Sequence, residues 1–478
     1  MDFGKVDQSI IELLTGIVGG SNVITDKEKL VDFCGDEFPL EEIRHFPDVV
    51  VKPADSGQVS KIAALANEKK IPLTVRGGGT GLCGGCVPMF GGIVVSFAAM
   101  NKVVEIDTDN LMAVVEPGLT LQDFYKALEG TGLFFPPHPG DEGATMGGVI
   151  AANAGGARAV KYGVIRNFVR GLEVVFADGA VTTLGGKLMK SSTGYSLLNL
   201  MIGSEGTLGI VTRAVISLSP EPGAMYTLVA PFSDLHTAIK AVPTIIRNRI
   251  LPMAVEFVER DSIAVTEDFM NKKWPCTGGS ADLMIIIDGS NEDEVMAQAE
   301  RVADLCTAAG ALDIFVADNK EKQRTILELR SNIYEAMRTN MLEILDVTVP
   351  RATIAEFVEA IHGIEQELCM WLPTFGHAAD GNVHTNIMKA RWKDGVWTEI
   401  PGWEKAYPVA RQKIHDLGRQ FGGIVSGEHG IGIVKKEYLA GFLDASQMRL
   451  MREIKRLFDP RGILNPGKIF DDPAVKVG

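Results

Sequence analysis

Cationic residues are in short supply. The 478-residue chain has 47 Lys and Arg against 61 Asp and Glu, a formal net charge of −14. So acidic a chain does not draw in nucleic acid or an anionic membrane surface, and no basic patch with interleaved aromatics appears. Long apolar runs are missing too: none reaches the roughly 18–20 residues a membrane span needs. The N-terminus, MDFGKVDQSIIELL, lacks a basic segment followed by a long apolar core, so it does not read as a secretory signal. Cysteine is sparse, at six. That is no disulfide framework for this length, and the expected compartment is the cytoplasm.

What the chain has is glycine, 52 residues of it, and 46% hydrophobic residues, enough for the cores of two or three domains. The densest glycine stretch is residues 71–88, IPLTVRGGGTGLCGGCVP. A short strand runs into a loop with little to pack, which exposes backbone N–H groups to an anion. Gly79–Gly84 fits G-x-G-x-x-G, but that nucleotide turn must open a helix. Here Gly85, Pro88, Gly91 and Gly92 lead instead into an apolar strand, Ile93–Phe97, so the nucleotide turn is rejected. A P-loop is excluded because no Gly-Lys-Ser/Thr follows. An anion-cradling loop between two strands remains, beside a plain glycine hairpin. Cys83-x-x-Cys86 could be a redox or metal pair, or two small residues packed under the loop.

Periodicity gives helices within residues 1–42, a buried strand at Asp48–Pro53 and an amphipathic helix at Ser56–Lys69. Strands are expected at Val103–Ile106, Ala113–Glu116, Asn167–Phe176 and Ala180–Leu184, the last two joined by an Asp178-Gly179 turn. A helix at Thr120–Leu128 starts from a threonine cap. Residues 135–163 are dominated by Gly and Ala, which suits either a flat ligand against the main chain or close packing. Gly203–Thr212 is a further glycine-punctuated loop. Ser219-Pro220-Glu221-Pro222-Gly223 marks a link. Beyond it, strands alternate with amphipathic helices, an α+β pattern with an antiparallel sheet covered on one face.

Two stretches of the second half carry chemistry. In Pro373–Met388 an Asp380-Gly381 turn folds His384 back toward His377, with Asn386 on the same strand face as His384. Residues 422–432, GGIVSGEHGIG, present Glu428 and His429 on a loop of glycines. Two imidazoles and a carboxylate suit a catalytic divalent metal; hydrogen-bonded histidines are the other reading. His236, His362 and His415 fall in helical patterns and are expected to be solvated.

Taken in order, R-G-G-G-T-G-L-x-G-G, A-T-x-G-G with N-A-G-G, and G-S-E-G-T-L-G-I resemble the vanillyl-alcohol oxidase and p-cresol methylhydroxylase flavoprotein family. The chain is most similar to its branch of D-lactate dehydrogenases, glycolate oxidases and D-2-hydroxyglutarate dehydrogenases. The resemblance implies an α+β fold: an N-terminal helical segment over 1–42, a two-subdomain FAD-binding PCMH-type domain over 43–221, and a C-terminal substrate and metal domain over 222–478. It implies that Arg76, Gly77, Gly78, Gly79, Thr80 and Gly81 cradle the pyrophosphate of FAD. Pro139, Gly140, Thr145, Gly147, Gly148, Asn153, Gly156 and Gly163 would line the cofactor, and Ile210 would offer backbone to the adenine. Covalent attachment is not indicated, though His138 keeps it open.

H-A-x-D-G-N-x-H and S-G-E-H-G-I-G resemble the metal pair of that branch. They imply His377, His384 and Glu428 as ligands of zinc, manganese or iron, and His429 as base. Arg330, Arg351 and Asn386 are the candidates for holding the substrate. Ile344 stands near where the hydroxyglutarate enzymes carry a lysine, which points to D-lactate oxidised to pyruvate. Glycolate or D-2-hydroxyglutarate oxidation, a flavin relay subunit, or an oxygen-using oxidase are the alternatives. With no iron–sulfur or nicotinamide motif, electrons would leave to an electron-transferring flavoprotein, an iron–sulfur subunit or a quinone.

Overall fold

The computed structural model describes residues 3–471. The first two residues of the 1–42 segment and the last seven of the 222–478 domain lie outside the described residues. The chain forms two compact units: residues 3–155, 164–221 and 428–471, and residues 156–163 and 222–427. No helix among the described residues is long and apolar enough to cross a membrane.

The first unit holds two main sheets. Strands β1 (Val23–Ile24), β2 (Val49–Val51), β3 (Leu73–Arg76) and β4 (Ile93–Ser96) lie in the order β1-β2-β4-β3, parallel apart from β1. β2 and β4 are buried along their whole length, as the unbroken Val/Ile runs of parallel strands require. Between β2 and β3 runs the helix Ser56–Lys69, started by Asp55, whose carboxylate accepts from Gln58 N at 2.9 Å. It buries Val59, Ile62, Ala63 and Ala66. Val59 and Ile62 contribute about 1.5–3 kcal/mol each. Residues 77–92 contain no helix, as the glycines and prolines demand.

The second sheet is antiparallel, with β5 (Val103–Asp107), β6 (Met112–Val115), β8 (Val169–Val175), β9 (Val181–Gly185) and β10 (Ile210–Ser217) in the order β5-β6-β10-β8-β9. β7 (Leu133–Phe134) pairs with β11 (Ser219–Pro220). Two expectations change here. The 1–42 segment is not all helix, since β1 joins the first sheet through Val23 and Ile24. The strand expected from Asn167 begins at Val169, because the Asn167 side chain accepts from Val164 N and closes a 3-10 turn.

In the second unit, β12 (Ala224–Phe232), β13 (Ala254–Glu259), β14 (Ala281–Gly289), β15 (Phe315–Ala317), β16 (Met341–Thr348), β17 (Thr374–His377) and β18 (Asn382–Met388) form one antiparallel sheet. Its order is β15-β12-β14-β13-β17-β18-β16. β19 (Ala390–Lys393) and β20 (Val396–Glu399) make a separate hairpin. The expectation of a sheet covered on one face is corrected: β13, β14, β16 and β18 are buried at consecutive residues, so both faces are covered. A run such as Leu283–Ile287 has no polar alternation to give to water. His415 is corrected as well. It is 1% exposed, on the helix Trp403–Gln420, whose buried stripe Ala410, Ile414 and Gly418 is wide enough to take in residue 415. His236 and His362 are half-buried, and His362 pairs with Glu259 at 2.9 Å.

Gly179 turns β8 into β9 at φ 86°, and a Cβ there would sit 2.7 Å from Ser60 O and 2.9 Å from the Ala64 side chain. Gly179→Ala meets both the left-handed penalty and that contact, and should cost about 2 kcal/mol. A thermal melt within 1 °C of the parent would refute this account of the turn.

Candidate active site

Two backbone runs approach closely in the first unit. β3 ends at Arg76, and a Cβ on Gly77 would lie 2.1 Å from Thr145 Oγ1, one on Gly78 2.8 Å from Gly143 O. Thr145 caps the helix Met146–Ala152 and accepts from Gly148 N at 3.4 Å. Gly81, Gly140, Gly143 and Gly148 are exposed. The result is open main chain beside a helix start, a surface that suits phosphates and a flat group lying against the backbone. These residues fit FAD.

Some of the named cofactor residues serve this surface indirectly. Arg76 turns beneath the loop: its Nη1 donates to Gly35 O at 2.5 Å and to Cys86 Sγ at 3.2 Å, with Phe33 5.6 Å away. Thr80 and Pro139 are half-buried, and Gly147 lies against Pro117. Asn153 ends the helix at φ 52° and accepts from Arg166 N. Ile210 opens β10, buried, in register with Val175. Gly156 and Gly163 bracket the short segment that clusters with the second unit. His138 Nδ1 lies 3.2 Å from Tyr125 Oη.

The loop carrying Glu428 and His429 is tied into the same unit by Glu205, of the G-S-E-G motif. Glu205 N donates to Ala151 O, and its half-buried carboxylate accepts from Ile431 N at 2.7 Å and Gly432 N at 2.8 Å. Burial raises its pKa, opposed by those two N–H groups, Lys468 and Lys435. Cys83 Sγ donates to His429 O at 3.1 Å. Glu428 faces Gly155, where a Cβ would lie 2.6 Å from Glu428 Oε2. The tail locks the other side. Leu464 bridges to Leu73, Asn465 Nδ2 donates to Gly85 O and Glu205 O, and Lys468 Nζ donates to Val87 O at 2.7 Å.

The second unit gathers the imidazoles. The β17–β18 register pairs His377 with Asn382 and Phe375 with His384, which brings the two imidazole rings 5.2 Å apart at 89°. β13 aligns Glu256 with His377, so Glu256 Oε1 meets His377 Nδ1 at 2.6 Å. The other Glu256 oxygen pairs with Arg330, from the helix Lys320–Ser331. The guanidinium lies 4.6 Å over Phe375. Burial alone would raise the Glu256 pKa, but His377 and Arg330 outweigh it and hold the carboxyl below the usual range. β16 aligns Asp346 with His384, 4.0 Å from Nδ1. Asp346 also accepts from Asn382 Nδ2 and Ser426 Oγ, and its carbonyl accepts from Gly427 N. Asn386 Nδ2 donates to Pro373 O, leaving a buried Oδ1 without a partner. Arg351 stands apart, exposed at the start of the helix Ile354–Leu368.

Glu205, Glu256 and Asp346 went unnoticed in the sequence. The last two had a signal: a carboxylate within an otherwise apolar strand must be paired if buried.

The description "FAD linked oxidases, C-terminal domain" matches residues 221–469, and "FAD binding domain" matches residues 47–185. The chain is similar to a D-lactate dehydrogenase of Archaeoglobus fulgidus, 44% identical over 421 residues, covering 88% of this chain and 91% of the relative. It is similar to the glycolate oxidase subunit GlcD of Bacillus subtilis, 38% identical over 477 residues and 98% of each chain. Among solved structures it is similar to p-cresol methylhydroxylase with substrate bound, at TM-score 0.80 over 98% of this chain and 99% of that one. Their 19% identity speaks for the fold alone, the α+β PCMH-type fold that the glycine motifs imply.

Burial lowers Lys468 to about 8 from 10.5. Below about pH 8 the ammonium is charged in folded and unfolded chain alike, and the burial penalty stands in full. Between about 8 and 10.5 the folded chain has shed its proton and the unfolded chain has not. Stability relative to Lys468→Met should therefore rise with pH across that window, by about 3 kcal/mol. Denaturant melts of both proteins at a series of pH values measure it, and a flat difference counts against the assignment.

Proposed function

We propose that this chain, which belongs to the FAD-linked oxidase family in the branch of D-lactate dehydrogenases and glycolate oxidases, oxidises D-lactate to pyruvate with FAD and a divalent ion. The observation that carries the metal part is the buried His377–His384 pair with Glu256 on His377 Nδ1. An imidazole held by a carboxylate at one nitrogen offers the other to a metal, the usual arrangement around a ligating histidine. The donor set therefore fits zinc, manganese or iron.

In this reading His377, His384 and Glu428 hold the ion; Glu428 directly follows Gly427, whose N–H is bonded to Asp346 O. When bound, the flavin supplies a two-electron acceptor and the ion a Lewis acid for the substrate hydroxyl. Arg330 binds the substrate carboxylate through its planar fork, and Asn386 and Arg351 are further candidates for holding the substrate. His429 takes the hydroxyl proton as base, in a loop steadied by Glu205 and Cys83. The substrate gives up two electrons and two protons and leaves as the 2-oxo acid. Ile344, register partner of Asn386 and buried, offers no cation to a second carboxylate, which favours D-lactate over D-2-hydroxyglutarate. Electrons then pass to an electron-transferring flavoprotein, an iron–sulfur subunit or a quinone.

Anaerobic mixing of the metal-replete, flavin-loaded protein with D-lactate, L-lactate, glycolate and D-2-hydroxyglutarate tests the reading. D-Lactate should bleach the flavin fastest. Bleaching by none of them sinks the enzymatic proposal, and fastest bleaching by another acid reassigns the substrate. His429→Ala should keep its flavin and lose about 10²–10⁴-fold in reduction rate. An undiminished rate removes His429 from the chemistry.

A further inference from the structure

We propose that Glu256 is a positioning residue whose two oxygens lock His377 and Arg330 to one another. The inference rests on the reading of His377 as a metal ligand and Arg330 as the carboxylate binder. Glu256 is 1% exposed and its oxygens are divided: Oε1 meets His377 Nδ1 at 2.6 Å, and Oε2 meets Arg330 Nη2. An ionised carboxylate can only accept. His377 Nδ1 must therefore carry a proton, and in the neutral imidazole this leaves the lone pair on Nε2.

The backbone builds this contact. Glu256 and His377 are register partners on β13 and β17, so neither side chain needs to search for the other. Arg330 is fixed from two directions, by Oε2 at one edge and by Phe375 4.6 Å beneath its plane. Phe375 is itself the register partner of His384. The Arg330 side chain is 13% exposed, and its Nε is buried with no hydrogen-bond partner. One donor of the fork is thus unspent where the orientation is already set. A single carboxylate fixes the tautomer of one group and the pose of the other.

Glu256→Gln removes that double role. An amide has one acceptor oxygen and one donor nitrogen, so it can satisfy His377 or Arg330 and turns an N–H toward the other. Glu256→Asp keeps the charge but falls a methylene short. Three measurements on flavin-loaded protein test the proposal. In metal-stripped protein, nitrogen NMR of labelled histidine, with His377 assigned by His377→Gln, should show the Nδ1–H tautomer in the parent and its loss in Glu256→Gln. Competition titration with Mn²⁺ should show binding weakened about 10–100-fold in that variant. Its KM for D-lactate should rise by a larger factor than kcat falls, and Glu256→Asp should recover part of each loss.

An Nε2–H tautomer in the parent overturns the proposal, as does a folded Glu256→Gln with unchanged metal binding and KM. If Glu256→Gln does not fold, Glu256→Asp decides by the same readouts, with parent-like values in all three refuting the lock. If the parent binds no Mn²⁺ while His377 shows the Nδ1–H tautomer that Glu256→Gln loses, the metal reading fails and the Glu256–His377 lock stands.

Discussion

A charge taken out of water has to be met by partners inside the fold, and this chain uses that requirement to place its chemistry. Glu256 in the second unit is a fully buried carboxylate, and Glu205 in the first is a half-buried one. Alone, each would cost several kcal/mol to bury as an ion. Glu256 is met by an imidazole and a guanidinium, Glu205 by two backbone N–H groups. In both cases the partners belong to segments that the proposed mechanism uses: the His377 strand and Arg330, and the residues just after Glu428 and His429. The pairing energy does not add net stability so much as select one arrangement, because every other pose leaves a charge unpaired.

The same logic explains how a loop of glycines can hold the Glu428 and His429 segment still. Glycine gives residues 427–432 little packing of their own, and Gly430 and Gly432 have positive φ. Order is supplied from outside. Ser426 and Gly427 bond to Asp346, and Ile431 and Gly432 bond to Glu205. Within the first unit the Cys83 thiol adds a further tie, to the His429 carbonyl. Gly155 leaves the room that the Glu428 side chain occupies.

What could be read from the sequence divides along a physical line. Features set by local geometry were legible: the capped helix at Ser56–Lys69, the glycine loop without a helix after it, and the Asp380-Gly381 turn that folds His384 back toward His377. Features set by strand register were not. Nothing local says that Glu256 stands opposite His377, or Asp346 opposite His384, because β13 and β17 are more than a hundred residues apart. His415 escaped for a related reason: the charged residues around it suggest a wet helix, and only the neighbouring layers decide how wide its buried stripe is. The tail, whose Pro460 could have ended a helix and no more, places Leu464 beside Leu73 and Lys468 under Val87.

Cys83 and Cys86 can now be read by chemistry rather than spacing. A thiol attacks a disulfide as its thiolate, so a redox pair needs at least one depressed pKa. Burial does the opposite here, raising Cys86 to about 11 and Cys83 well above the ordinary thiol value, with Glu205 and Asp36 reinforcing the shift at Cys83. Both are free thiols. Each acts in its neutral form. Cys83 donates to the His429 carbonyl, and Cys86 accepts from the Arg76 guanidinium that props the glycine loop. A thiolate at residue 83 would turn a donor toward that carbonyl into a second anion near Glu205. The surroundings that keep Cys83 protonated are thus the ones that let it hold the loop.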